Sequence, residues 1–292
     1  MTGTGTGAGT DPSADADGDA GTCAGTGIRG AGIGADDSDT AGDRIGVLDL
    51  ERVAAHGWQA TSTARVGGWL LRAGAGFTGR ANSVLPLGSA GRTLTAALVD
   101  VEAFYRRHAL PALFQLPECD ETAELEAFLD RHGWEPFNPT MVLTAKVHKA
   151  AARCPPVEGL AQAAFASRPS VEWLDRYTYR GQALPSSAVA ILENAHPVVF
   201  GSLAGTGGTV AVVRGVLTEG WLGVTALTVD PPRRRSGAGR HLMGELLRWA
   251  ALRATRGCYL QVAADNEGAV ALYRRLGFTE HHRYHYRRSP VA

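Results

Sequence analysis

The sequence predicts a fold of the α+β class, in which helices flank one twisted, mixed α/β sheet. Helical and strand patterns alternate along most of the chain. Turn sequences such as Thr206-Gly207-Gly208 and Glu219-Gly220 predict hairpins between neighbouring strands. The chain has 292 residues, of which 45% are hydrophobic, so it is long and apolar enough for about two domains.

The elements of the first half follow from the spacing of its apolar residues. Residues 1–43 are rich in Gly, Thr, Ala and Asp and carry eight Asp against one Arg, so we expect a disordered acidic tail. After this tail, helical periodicity predicts helices and apolar runs predict strands. The predicted helices are 48–58, 93–108 and 122–132, and the predicted strands are 69–72, 81–87, 113–116 and 141–145.

A second unit is expected after the consecutive prolines Pro155 and Pro156, which are typical of a linker. We predict an N-terminal domain over 44–149, a linker over 150–160 and a second domain over 161–292. The predicted helices of the second unit are 171–179, 186–195, 239–255 and 267–276, and its strands are 198–203, 209–217, 221–229, 259–263 and 282–286.

Composition excludes several classes of protein. No apolar stretch reaches the roughly 18 residues of a membrane helix, and the N-terminus lacks a signal-peptide pattern. The cysteines form no C-x-x-C pair, so we predict neither a zinc ribbon nor a disulfide framework. The basic run Arg233–Arg235 is too short for a nucleic-acid surface. We expect a cytoplasmic protein with no metal, no nucleic-acid partner and no membrane partner.

A strand–helix–glycine pattern occurs twice in the chain. Phe114-Gln115-Leu116 precedes a predicted helix and Gly133-Trp134, and Leu260-Gln261-Val262 precedes a predicted helix and Gly277-Phe278. This repeat favours an internal duplication. The alternative is that the two segments are alike only because any strand–helix–glycine unit has this pattern.

One turn has the composition of an anion-binding site. A predicted strand ends at Val229, two prolines follow, and a helix starts near Gly239. Gly237 and Gly239 allow backbone N–H groups to approach an anion, and the helix N-terminus adds unpaired donors. Arg234 and Arg235 add charge-assisted donors. The pattern matches neither G-x-G-x-x-G nor G-x-x-x-x-G-K-[ST]. It predicts a pyrophosphate cradle, and a plain glycine-rich turn is the alternative.

The motif Arg234-x-x-Gly237-x-Gly239, with Asn266-x-x-Ala269-x-x-x-Tyr273 after it and then Gly277-Phe278, resembles the GNAT N-acetyltransferase superfamily. The resemblance covers roughly residues 170–288. It implies a GNAT fold, acetyl-CoA as co-substrate, and direct attack of a primary amine on the thioester.

The resemblance also implies roles for individual residues. Leu227, Thr228 and Val229 would line the acetyl-pantetheine arm. Asn266 would orient the pantetheine, and Tyr273 would protonate the departing thiolate, because a phenol keeps its proton at neutral pH. Taken alone, these two residues indicate only a helix cap and a core aromatic. The pyrophosphate would be wrapped by seven consecutive residues: Arg234, Arg235, Ser236, Gly237, Ala238, Gly239 and Arg240.

The chain departs from the family pattern at the general base. Many members of the superfamily carry a carboxylate where this chain has Gly223. The substitutes that we consider are Glu219, Thr225 (which could hold a water), His281 and His282, each of which has an ordinary structural role as its alternative. A lysine side chain, with a pKa of about 10.4, needs more help to lose its proton than an α-amine near 8. The missing carboxylate therefore favours an amino acid, a peptide N-terminus or another weakly basic amine.

The first half resembles the N-terminal portion of two-part bacterial GNAT proteins, some of which are linked to N-acetylglutamate synthesis. The polar stretch 69–83 carries this resemblance. The implied architecture is a tandem GNAT-like fold whose N-terminal half is degenerate and non-catalytic. Arg72, Arg80 and Asn82 are candidates for binding an acceptor carboxylate, since Arg matches that group with two hydrogen bonds. The alternative is that they are solvated or pair with local acids.

Three classes of function remain. The first is an acetyl-CoA-dependent N-acetyltransferase, a monomer or homodimer acting on a small-molecule amine, with an amino acid such as glutamate favoured over a protein N-terminus or lysine. The second is a non-catalytic acyl-CoA sensor. The third is a nucleotide-binding module built on Arg233–Arg235. The presence of both Asn266 and Tyr273 favours the enzyme.

Overall fold

The computed structural model describes residues 45–179 and 182–290, and its main feature is one mixed sheet. The predicted tail over 1–43 lies outside the described residues. The strands of this part of the chain are β1 (Ser62–Val66), β2 (Trp69–Ala73), β3 (Val84–Pro86), β4 (Leu113–Pro117), β5 (Glu135–Lys146), β6 (Ala164–Ala166), β7 (Val198–Gly205), β8 (Gly208–Thr218), β9 (Trp221–Val229), β10 (Gly257–Ala263) and β11 (Thr279–Arg288).

Helices cover this sheet. The described residues form α1 (Val47–Gly57), α2 (Leu94–Arg107), α3 (Ala123–Arg131), α4 (Val147–Ala152), α5 (Val171–Arg176), α6 (Ala188–Glu193), α7 (Ala238–Ala251) and α8 (Glu267–Arg275). The predicted α+β class with a flanked mixed sheet is confirmed. None of these helices combines the length and apolarity that a membrane crossing requires.

The two halves of the chain share the sheet by a reciprocal exchange of strands. The strand order is β1-β2-β3-β4-β11-β5-β10-β9-β8-β7-β6. β11, from the second half, lies between β4 and β5 of the first half, and β5 lies between β11 and β10 of the second half. The units β4–α3–β5 and β10–α8–β11 correspond to the repeat in the sequence. In both, the glycine after the helix has a left-handed φ, 74° at Gly133 and 88° at Gly277.

Three elements have no counterpart in the sequence expectations, and β5 begins at Glu135, six residues earlier than predicted. β1 is missed by the sequence because it is an edge strand that alternates exposed polar residues with small ones, and such a run lacks the apolar signal of a core strand. α4 covers the start of the predicted linker, since its alanine-rich sequence favours a helix up to the residues before Pro155. β6 is a three-residue edge strand, too short to produce a pattern.

The two faces of the second half of the sheet have different neighbours. On one face, α7 and α8 pack on Leu222, Val224 and Leu260 in a large apolar core. On the other face, α5 and α6 pack with Trp58 and Phe77 from the first half in a second core. This second face therefore carries side chains from both halves of the chain.

Candidate active site

A gap opens in the sheet between β9 and β10. These parallel strands pair from Trp221 and Gly257 as far as Val224 and Leu260, and the pairing ends there although both strands continue. On its other edge, β9 shifts its register against β8 between Val212 and Arg214. Ala226 has a φ of 57° at this shift, which marks a β-bulge. On the side of the gap, the main chain of 226–229 therefore has no hydrogen-bonding strand partner among the described strands.

A loop rich in Arg and Gly follows β9 directly and leads into α7. In this Arg–Gly loop (residues 234–240), Arg235 and Gly237 have left-handed φ values of 64° and 86°. The first helical hydrogen bond of α7 is donated by the N–H of His241 to the carbonyl of Gly237, at 2.9 Å. The N–H groups of 238–240 therefore have no intrahelical acceptor, and the positive end of the helix dipole lies with them.

The Arg–Gly loop fits a polyphosphate in both charge and space. The side chains of Arg234, Arg235 and Arg240 are exposed, and none of them forms an ion pair with another described residue. A Cβ placed on Gly239 would lie 3.2 Å from the Val229 side chain, so any larger residue there would require that side chain to shift by a few tenths of an ångström. Exposed cations beside unpaired N–H groups at a helix start are suited to a diphosphate.

Tyr273 and Asn266 lie at the two ends of the predicted catalytic helix. Tyr273 is buried on α8, packs edge-on against Phe278 and belongs to the core that Leu227 and Val229 contact. Burial raises the pKa of Tyr273 to about 12, so the phenol is protonated at neutral pH. Asn266 is the N-cap of α8, and its Oδ1 accepts a hydrogen bond from the N–H of Ala269 at 3.1 Å.

Three candidate bases are located away from the gap. Glu219 is at the β8–β9 turn and accepts hydrogen bonds from Arg52 at 2.8 Å and His56 at 3.0 Å. These partners hold the pKa of the Glu219 carboxyl below its usual range, and the strand from Trp221 to the bulge at Ala226, roughly 17 Å long, separates the β8–β9 turn from the bulge. His281 and His282 contact each other, and His282 also contacts the buried Glu51. The structure therefore gives all three residues structural partners.

We expect the substitution Glu219→Gln to leave kcat/KM within about twofold of the parent enzyme. The carboxylate is 41% exposed and forms a surface ion pair, which contributes only about 0–1 kcal/mol to stability. Steady-state kinetics with a saturating thioester would check this. A hundredfold loss would restore Glu219 as the base.

The space of the missing carboxylate is filled by another side chain. A Cβ built on Gly223 would overlap the hydroxyl oxygen of Tyr259, which lies on the adjacent strand β10. Burial raises the pKa of Tyr259, and the cations of Arg214 and Arg80 partly oppose this shift. Tyr259 was not among the predicted site residues. Its importance depends on its position opposite Gly223 on the neighbouring strand, and the sequence does not show which strands pair.

The three polar residues proposed to bind an acceptor carboxylate have different surroundings. Arg72 is buried and donates hydrogen bonds to Ser83 and Gln115. Asn82 uses both of its acceptor positions and both of its donors on the main chain of 74–78. Its side chain therefore shapes this loop and has no capacity left for a ligand, which corrects the expectation for Asn82. The internal partners of Arg72 likewise assign it a structural role.

Arg80 differs, because it extends toward the gap. Its Nη1 donates to Oε1 of Gln261 at 3.1 Å, and Gln261 lies just beyond the last paired residue of β10. The guanidinium of Arg80 stacks on Trp58, 4.5 Å from the ring centroid, and Arg214 lies 4.9 Å from the same centroid. Arg214 was not among the predicted site residues, although a lone Arg within the apolar run 210–217 could have indicated a buried functional cation.

A bulged strand beside a splayed parallel partner, with an Arg–Gly loop at the start of the next helix, defines the protein as an N-acetyltransferase of the GNAT class. The family described as "Probable histone acetyltransferase Rv0428c C-terminal" matches residues 46–287, and the chain belongs to that family. Within the described residues, no cluster of His, Cys, Asp or Glu has the size needed to hold a metal ion.

The similar proteins agree with this class. The chain is 28% identical over 250 residues to "Uncharacterized N-acetyltransferase YobR" of Bacillus subtilis, covering 82% of this chain and 98% of YobR. It is 31% identical over 245 residues to "Probable histone acetyltransferase Rv0428c" of Mycobacterium tuberculosis, covering 81% of this chain and 72% of that protein. A "Tandem GNAT protein from the clavulanic acid biosynthesis pathway" superposes with a TM-score of 0.59 at 14% identity, covering 84% of this chain and 89% of the other. The predicted tandem GNAT fold is thereby confirmed.

Proposed function

We propose that the protein transfers an acetyl group from acetyl-CoA to the primary amine of a small molecule, with an amino acid as the favoured class of acceptor. The observation that carries this proposal is the placement of the Arg–Gly loop beside the bulge of β9 and the gap between β9 and β10. A diphosphate at the loop would direct an attached arm along 227–229, into the gap. Acetyl-CoA would supply the acyl thioester.

The residues of this chain would then divide the work between binding and proton transfer. Main-chain N–H groups of the Arg–Gly loop would hold the diphosphate, and Leu227, Thr228 and Val229 would contact the arm. Tyr273, protonated because burial raises its pKa to about 12, would donate its proton to the leaving sulfur. Asn266 would orient the pantetheine, and its cap would keep α8 in position so that Tyr273 remains beside the arm.

An amino-acid acceptor is supported by the absence of a carboxylate at Gly223. Without that base, an α-amine, whose pKa lies below that of a lysine side chain, loses its proton and reacts more readily than the lysine side chain. The name of the Mycobacterium tuberculosis relative points to a histone acceptor, so a lysine-rich peptide is the competing candidate. The buried cations Arg80 and Arg214 oppose it, because like charges repel.

The proposal is tested by measuring thiol release from acetyl-CoA across a panel of L-amino acids, alkylamines and a lysine-rich peptide. We expect release with amino acids, and an ascending limb of kcat/KM against pH that follows an α-amine. An ascending limb that matched a free lysine would contradict the choice of acceptor. Tight binding of CoA without thiol release for any amine would instead support a non-catalytic acyl-CoA sensor.

The pH dependence of kcat offers a further check on Tyr273. Because burial raises the pKa of this acid to about 12, it stays protonated throughout the assay range. We therefore expect no descending limb in kcat between pH 7 and about pH 10. A descending limb near pH 9 in kcat, with the fold intact by circular dichroism, would show that another acid protonates the thiolate.

A further inference from the structure

Arg214 is a fully buried cation next to the bulge. Its side chain is 0% exposed, its Nε donates to the carbonyl of Leu192 at 2.8 Å, and its Nη2 donates to the carbonyl of Gly57 at 3.1 Å. These carbonyls lie at the C-terminal ends of α6 and α1, where the helix dipole stabilises a cation. Nη1 has no hydrogen-bond partner in the described part of the chain.

Thr225 presents a second unsatisfied polar atom at the same place. It lies directly opposite Arg214 in the β8–β9 pairing and immediately precedes the bulge residue Ala226. Opposed residues of an antiparallel pair project from the same face of the sheet. Oγ1 of Thr225 is also buried without a partner among the described residues. A buried polar atom without a hydrogen-bond partner destabilises the fold unless a bound molecule satisfies it.

The charge around Arg214 is positive. It forms no ion pair with any described residue, and the other ionisable groups that act on it are Tyr259, Arg80 and Tyr177. Arg80, on the same Trp58 ring, reaches Gln261 on the far side of the gap. The site is thus flanked by two guanidinium groups. It lies on the sheet face opposite α7, whose N-terminus carries the Arg–Gly loop.

We propose that Arg214, together with Arg80 and Thr225, binds a carboxylate of the acceptor, so that the acceptor is a primary amine that also carries a carboxylate. This inference rests on the proposed function and names the residues that would select its acceptor. A carboxylate would accept a hydrogen bond from Nη1 of Arg214 and neutralise the buried charge. Thr225 would contact the same acceptor next to the bulge. This contact would place the amine of the acceptor near the gap.

The first test uses the unmodified protein and acceptors that differ in the carboxylate, compared at equal concentrations of the neutral amine because the carboxylate also affects the pKa of the amine. Each L-amino acid is compared with its C-terminal amide and its decarboxylated amine by thiol release from acetyl-CoA. We expect kcat/KM to fall at least tenfold from acid to amide and further for the decarboxylated amine. Equal values for acids and amides, or a preference for a lysine-rich peptide, would overturn the inference.

The second test replaces Arg214 and compares it with a matched buried arginine. Arg214→Gln should bring the acid-to-amide ratio of kcat/KM close to one, and Arg214→Lys should restore part of the preference. Arg287 is also buried, at 5% exposure, but it forms ion pairs with Glu126 and Asp130 and donates to the Trp134 carbonyl in the first half, so Arg287→Gln should keep the ratio of the parent protein. An unchanged ratio in a folded Arg214→Gln variant would contradict the proposal.

A binding measurement separates this inference from the proposed function and does not depend on any variant folding. The affinity of the parent protein for N-acetyl-L-amino acids and for their amides is measured by calorimetry in the presence of CoA. At least tenfold tighter binding of the acids would support the carboxylate site even if no amine were acetylated. Equal affinities would overturn it and indicate that water alone satisfies Arg214, whatever the result of the acetylation assay.

Discussion

Replacing Tyr273 by Phe is expected to lower kcat about 10²- to 10³-fold while changing the dissociation constant of CoA less than threefold. A positioned general acid contributes about 10²- to 10⁴-fold to a rate, and Phe cannot supply the proton. The aromatic ring would still pack against Phe278, and the Tyr273 hydroxyl makes no hydrogen bond with the described residues, so stability should change little.

Tyr105→Phe is the matched control for this substitution. Tyr105 is also buried, but it lies on α2 and its hydroxyl donates to the carbonyl of Arg72 at 3.2 Å. We expect that variant to lose about 1 kcal/mol of unfolding free energy and to keep kcat within twofold. Single-turnover measurements of thiol release isolate the chemical step. A Tyr273→Phe variant with the kcat of the parent protein would exclude Tyr273 as the acid.

Replacing Gly237 by Val is expected to raise the dissociation constant of CoA at least tenfold. Gly237 has a φ of 86°, which a β-branched residue adopts only at a cost of about 1–2 kcal/mol, and an added Cβ would lie 3.4 Å from Val157. The backbone must therefore shift where the N–H groups of the Arg–Gly loop converge, and the shift would misplace the donors.

The hairpin residue Gly207 provides the control, since its φ is 91° and no atom lies within 4 Å of the position that a Cβ would occupy there. Gly207→Val should show a similar loss of stability in urea unfolding but leave CoA affinity as in the parent protein. If both variants bound CoA alike, the conformation at Gly237 would have no part in binding.

The Arg–Gly loop and α8 could be predicted from sequence because their signals are local. Prolines, closely spaced glycines and a helix-capping Asn lie within short stretches, and the structure has α8 at Glu267–Arg275, within one residue of the expected range. Strand β9 was likewise predicted at its observed bounds, since its apolar run is delimited by Gly220 and two prolines.

The group of residues around Arg214 could not be predicted because these residues come together only in the tertiary structure. Trp58, Arg80 and Arg214 are brought to one place by α1, the loop after β2, and β8, and the strand exchange of β5 and β11 joins the halves that carry them. Asn82 shows the converse error. It was predicted to bind the acceptor together with the nearby Arg80, but its side chain forms all of its hydrogen bonds with the main chain of its own loop.

Calorimetry with CoA and with pantetheine would measure whether the Arg–Gly loop at 234–240 binds the diphosphate of CoA. Pantetheine keeps the thiol arm but lacks the diphosphate. We expect CoA to bind the full chain with a dissociation constant at least a hundredfold below that of pantetheine. Equal affinities for the two ligands, or no heat with CoA at millimolar concentration, would contradict it.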